Sequence, residues 1–212
     1  MSGSGPMTLA IADDVSPAGE GGGTRRDVTV AFTDLEGFTA FTAAEGDDAA
    51  GRVLLDHHRT AERLARSRGG RVVKRLGDGL LLVFASPPAA VLTCLELRET
   101  APLRLRAGVH RGRVNVTGDD DVIGHVVNVA ARVAASARPG EVLVTDDVRD
   151  DAAALSCLVF DRPTMRRFNG LPEPVPVSAT TRTGCEWSPT EPPPRLRHDS
   201  EGPTMSKHRR PA

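Results

Sequence analysis

Between positions 27 and 110 the hydrophobic residues repeat with two different periods, and the order of those periods restricts the fold more than any other property of the chain. Val28, Val30 and Phe32 alternate with smaller or polar residues over Asp27–Thr33, as in a strand with one buried face. From Asp47 to Arg68 the spacing changes. Ala50, Val53, Leu54, Ala61, Leu64 and Ala65 fall on one helical stripe, and Gly69 suits the position just past the helix end. Arg71–Leu76 and Leu80–Ala85 are apolar runs joined at Gly77-Asp78-Gly79, a hairpin signal. Ser86, Pro87 and Pro88 open a second helix that runs to about Glu99. LRLRAGVH then puts Leu103, Leu105, Ala107 and Val109 on one strand face. Strand, helix, strand, strand, helix, strand is the split, ferredoxin-like βαββαβ unit.

A further helix over about Val126–Ala137, closed by Pro139-Gly140, is followed by EVLVT and a strand-rich segment to about Ala179. The expectation is an α+β domain over residues 26–180, with helices packed on a mainly antiparallel sheet. Residues 1–25, ending in EGGGTRR, read as a disordered leader, and the proline-rich, charged residues 181–212 as a disordered tail. Trp187 and the KHRR run in that tail read as an incidental aromatic and a solvated end. The formal charge of −1 gives no case for nucleic acid or a membrane surface. No stretch approaches the roughly 20 apolar residues of a membrane span, and the first residues lack a signal peptide's basic start. Cys94, Cys157 and Cys185 are odd in number and widely spaced, which argues against a disulfide framework or a zinc site and makes a reducing cytoplasm the simplest home.

The chemistry begins where the first strand ends. The residue that continues the parity of Val28, Val30 and Phe32 is Asp34, so the inward face of an apolar strand finishes in a carboxylate. A second carboxylate, Asp78, sits at the hairpin tip beside an apolar arm. Alone, Asp78 reads as an ordinary turn residue and Asp34 as a helix cap. Together they point elsewhere, because strands one and three of the split unit are central neighbours, so the end of one and the tip of the hairpin meet on one edge. Two carboxylates there suit a divalent cation that keeps its other positions for water and phosphate oxygens. Gly37 and a helix start near Thr39 would add exposed backbone amides facing an anion. Glu36 is expected to face solvent, and His57, His58, His110 and His125 show no ligand spacing tied to the carboxylates.

FTDLEGFT and KRLGDG, followed by RAGVHRGRV and DVIGHVVNVAARV, resemble the catalytic domain of class III nucleotidyl cyclases, in order and spacing, over about Asp27–Ala179. The resemblance implies that Asp34 and Asp78 hold two Mg²⁺ or Mn²⁺ ions. It implies that Lys74 and Asp121 read the purine, Lys74 donating to adenine N1 and Asp121 accepting from the exocyclic amine, a pair that favours ATP over GTP. Asn128 and Arg132 match the residues that position the ribose and stabilise the transition state, and Arg106 matches one that contacts the phosphates. Asn128 and Arg132 are four apart, hence on one helix face.

The family places the metal carboxylates on one subunit and the purine readers with the Asn/Arg pair on the other. A chain holding all six is thus expected to form a homodimer with two shared sites. Lys74 and Asp78 fit that division, lying roughly 13 Å apart along an extended strand. One departure stands out. MRRFNGLPEPVPV carries Asn169 where many relatives have a phosphate-reaching Lys, leaving Arg166 or Arg167 as substitutes or a lower turnover. The activity the resemblance implies is ATP to 3′,5′-cyclic AMP and pyrophosphate. A catalytically silent nucleotide-binding or dimerisation module and a guanylate-specific cyclase are the alternatives. Regulatory input is expected from a partner, a metabolite, pH or the tails.

Overall fold

The computed structural model describes residues 24–117 and 121–184. Its elements, in order, are β1 (Thr24–Leu35), α1 (Phe38–Glu45), α2 (Asp47–Ser67), β2 (Arg71–Leu76), β3 (Gly79–Phe84), α3 (Pro87–Thr100) and β4 (Leu105–Val116). There follow β5 (Val122–Ile123), α4 (His125–Ser136), β6 (Val142–Thr145), α5 (Asp146–Ala152), β7 (Leu158–Phe160), β8 (Thr164–Arg166) and β9 (Val175–Arg182). The sheet runs β2-β3-β1-β4-β6-β9-β7, with β5 paired to β4 and β8 to β9. The pair β4–β6 is parallel and the others are antiparallel, so the α+β expectation holds, with β1 and β3 adjacent at the centre of the split unit.

The two faces of the sheet build separate cores. Ala31 and Leu35 of β1 join Leu80, Leu82 and Phe84 of β3 and the apolar stripes of α2, α3 and α5. Val28, Val30 and Phe32 point the other way and meet Val126, Ala130 and Ala134 of α4. β3 is buried along its whole length because it is covered on both faces. Emptying this core is costly: Leu82→Ala removes a fully buried side chain and should cost about 2–5 kcal/mol.

α4 lies close on β4 because two residues of the strand have no side chain. A Cβ on Gly108 would come 2.1 Å from the backbone nitrogen of Ala134, and one on Gly112 would come 2.6 Å from Val126 Cγ2. The strand rises about 13 Å between these glycines and the helix about 12 Å between Val126 and Ala134, so α4 runs along β4 in the opposite direction. Its second stripe, Val129 and Val133, packs on Leu143 of β6 and Val177 of β9.

Several features differ from the sequence expectation. α1 starts at Phe38, not Thr39, and buries no residue, so it carries no hydrophobic stripe to read. α5 was expected as part of a strand-rich segment; it anchors only Val148 and Ala152, too short a pattern to show a period. Cys94 is free and buried, but Cys157 is disulfide-bonded. The expectation against disulfides is corrected there, because separation in sequence sets no lower limit on separation in space. The expectations for Trp187 and the KHRR run lie outside the described residues.

Candidate active site

The register of β1 on β3 ends at Thr33↔Leu80, which carries Asp34 alongside the turn that holds Asp78. Asp34 Oδ1 lies 3.7 Å from where a Cβ on Gly79 would stand. The two carboxylates are close enough to disturb each other. Burial, and then the charge of Asp34, push the Asp78 carboxyl above its ordinary range; backbone N–H groups of Asp78 and Leu35, and the Arg106 charge, pull against that rise. On the other side of β1, Arg106 of β4 is directly opposite Asp34. Its Nε and Nη2 both reach Asp34 Oδ2, at 2.8 and 2.6 Å. A guanidinium therefore neutralises one carboxylate of the pair. Just beyond, α1 begins after Gly37, and the amides of Phe38, Thr39 and Ala40 have no intrahelical acceptor.

This edge fits a divalent cation. Like charges are crowded on it, and a positive group already sits on one of them. Among the described residues no cluster of three or more His, Cys, Asp or Glu gathers, so any cation held here would have two carboxylates and would keep positions for water or phosphate oxygens.

Lys74 and Asp121, expected as purine readers, meet each other. Lys74 Nζ is 2.7 Å from Asp121 Oδ2, while Asp121 Oδ1 accepts from the Val122 N–H at 2.8 Å. Lys74 sits on β2 opposite Leu81, and Asp121 just precedes β5. With side chains 43% and 25% exposed, the pair contributes at most about 1 kcal/mol, so a ligand can divide it without large loss.

Asn128 and Arg132 occupy the flank of α4 next to Val129 and Val133, the side facing β6 and β9. Asp34 keeps the parity of Val28, Val30 and Phe32, whose side chains meet Val126, Ala130 and Ala134 on the other flank of α4. Arg132 Nε donates to the Asn169 carbonyl at 2.6 Å, and Nη1 lies 3.4 Å from the Asn128 carbonyl. Arg166 donates to Ser136 O at 2.6 Å and to Ser136 Oγ at 2.9 Å, at the end of α4; Arg167 is exposed.

The six expected positions and Arg106 therefore fall into three groups: Asp34 with Asp78 and Arg106, Lys74 with Asp121, and Asn128 with Arg132. The pairing of Arg106 with Asp34 is set by the β1–β4 register, which places residues 72 positions apart side by side. Glu36 is exposed, as expected. His57 and His58 are both buried, and burial with its neighbour's charge holds His57 near a pKa of about 4. His58 is held below its ordinary range by burial and by the Arg75 charge, with the Gly77 backbone and Glu62 pulling the other way. His110, also near 4 through burial, bonds Thr145 Oγ1 at 2.9 Å.

Residues 23–162 match the family described as the Adenylate and Guanylate cyclase catalytic domain. An uncharacterized protein of Mycobacterium tuberculosis is 32% identical over 155 residues, 70% of this chain and 41% of its own length. A pH-sensitive adenylate cyclase of the same species is 37% identical over 176 residues, 75% of this chain and 43% of its own. The chain thus spans about two fifths of the length of these curated relatives. Among solved structures, the adenylyl cyclase CyaB from P. aeruginosa has the same fold, with a TM-score of 0.71 at 22% identity, covering 78% of this chain and 98% of that one. The guanylyl cyclase Cya2 superposes with a TM-score of 0.66 at 21% identity, covering 77% and 95%.

Proposed function

Because the chain belongs to the adenylate and guanylate cyclase catalytic-domain family, we propose that it converts ATP to 3′,5′-cyclic AMP and pyrophosphate at a site shared between two copies. The observation that carries this reading is the convergence of Asp34 and Asp78 on one sheet edge, with the first-turn amides of α1 beside them. Two Mg²⁺ or Mn²⁺ ions held by these carboxylates would supply charge neutralisation for the triphosphate and acidity for the ribose 3′-hydroxyl. The 3′-oxygen bonds the α-phosphorus as the bond to pyrophosphate breaks. Arg132 offsets the charge that builds on the α-phosphate, and Asn128 orients the ribose. Arg106 transfers from Asp34 to a phosphate oxygen, a bidentate exchange for which guanidinium is suited.

Lys74 and Asp121 support the adenine reading. Their 2.7 Å pair presents a donor and an acceptor side by side, which complements adenine's N1 acceptor and 6-amino donor. Guanine offers the reverse order at that edge. The name of the pH-sensitive adenylate cyclase among the relatives points the same way.

Sharing of the site is supported by α4, whose Val129 and Val133, beside Asn128 and Arg132, pack on β6 and β9, while its Val126, Ala130 and Ala134 pack on the β1 face whose parity continues to Asp34. A second copy would bring its Asn128 and Arg132 to them. The sheet face that α4 leaves partly open carries Val73, Leu76 and Val116, with Ile123 48% exposed, apolar area of the kind a two-fold interface covers.

The test is product formation by purified protein with ATP or GTP and Mn²⁺. Cyclic AMP from ATP is expected. Cyclic GMP as the main product would transfer the assignment to guanylate, and neither product, with ATP still bound, would leave a silent nucleotide-binding module.

A further inference from the structure

We infer that the turn at Asn169–Gly170 is a positioning element for Arg132, holding its guanidinium in one orientation through a backbone carbonyl. The inference rests on the proposed role of Arg132 at the phosphate. Arg132 Nε donates to the Asn169 carbonyl at 2.6 Å, and Nη2 has no hydrogen-bond partner among the described residues. The fork is therefore tethered at its base and open at its end, the arrangement a phosphate-binding arginine needs.

The tether is itself fixed to α4. The Leu171 N–H donates to the Phe168 carbonyl at 3.1 Å, closing the turn. Phe168 and Leu171 pack on Val129, Val133, Leu143 and Val177, and Arg166 binds Ser136 at the helix end. The carbonyl thus moves with the helix that carries Arg132. Gly170 completes the seat: its φ is +77°, and a Cβ there would stand 2.9 Å from Arg132 Nη2. The segment lies beyond residue 162, where the family match ends, and Asn169 stands where the resemblance expects a lysine. This chain uses the turn to aim an arginine instead of adding a charge.

Gly140 provides the control. Its φ is +82°, so alanine there meets the same backbone strain, but nothing lies within 4 Å of its Cβ. Gly170→Ala is expected to lower kcat for cyclic AMP formation about tenfold or more with KM within about twofold, while Gly140→Ala leaves both within about twofold, since small misplacement of a positioned group reduces rate before affinity. Independently of activity, the Arg132 Nε–H of the full chain, assigned by NMR from its loss in Arg132→Lys, should exchange slowly with solvent, faster in Gly170→Ala and unchanged in Gly140→Ala. Equal effects of the two alanines, or a wild-type Nε–H that exchanges like those of exposed arginines, overturn the inference. A wild-type protein that forms no cyclic nucleotide defeats the reading of the site instead, and the exchange rates alone then decide whether the turn holds Arg132.

Discussion

At Asp78 the proposed metal-binding role and the stability of the fold pull in opposite directions. Its carboxyl is raised by burial and by Asp34, so the folded protein holds that proton more tightly than the unfolded chain does. The sign follows from linkage. Above the raised value the ionised carboxylate destabilises the fold in full, and the penalty fades as pH falls through that value towards the ordinary 3.8. Asp78→Asn is therefore expected to raise the urea midpoint at pH 7, to gain less at pH 4, and to abolish cyclase activity. Mn²⁺ should raise the midpoint of the wild-type protein and leave that of Asp78→Asn nearly unchanged. A variant less stable than wild type at pH 7 would show that the ionised Asp78 carries no net penalty in the fold.

At the scale of elements, the site depends on how closely α4 lies on β4. Gly108 faces the backbone of Ala134, which cannot rotate away, whereas Gly112 faces a valine side chain, which can. Gly108→Ala should cost about 1–3 kcal/mol or more and Gly112→Ala distinctly less, compared by urea unfolding at constant slope. Gly108→Ala should also lose activity, because it displaces the helix that carries Asn128 and Arg132. The same scale decides what could be read in advance. β1, α2, the β2–β3 hairpin and α3 were readable because their apolar residues keep one period over a full element. Asp34 and Asp78 were readable because each breaks an apolar pattern at its end. α1 and α5 were not, since one buries nothing and the other two residues only. The Arg106–Asp34 pair and the Asn169 tether depend on register and on a returning segment, and both are contacts between residues far apart in the chain.

For the whole molecule, the family match covers residues 23–162, and no helix among the described residues is long and apolar enough to cross a membrane. The proposed division of Asp34 and Asp78 from Asn128 and Arg132 makes the account one of two chains. It can be tested by mixing inactive variants. Asp34→Ala removes a carboxylate from one half of each shared site, and Arg132→Ala removes the charge-offsetting group from the other. In an equal mixture about half of the dimers combine one chain of each kind, and each of these keeps one intact site of two. The decisive measurement is cyclic AMP formed from ATP and Mn²⁺ by each variant alone and by the mixture. Each alone should be inactive and the mixture should recover about a quarter of the wild-type rate, by the same two-fold arithmetic; a mixture as silent as its components would contradict the shared, carboxylate-centred site.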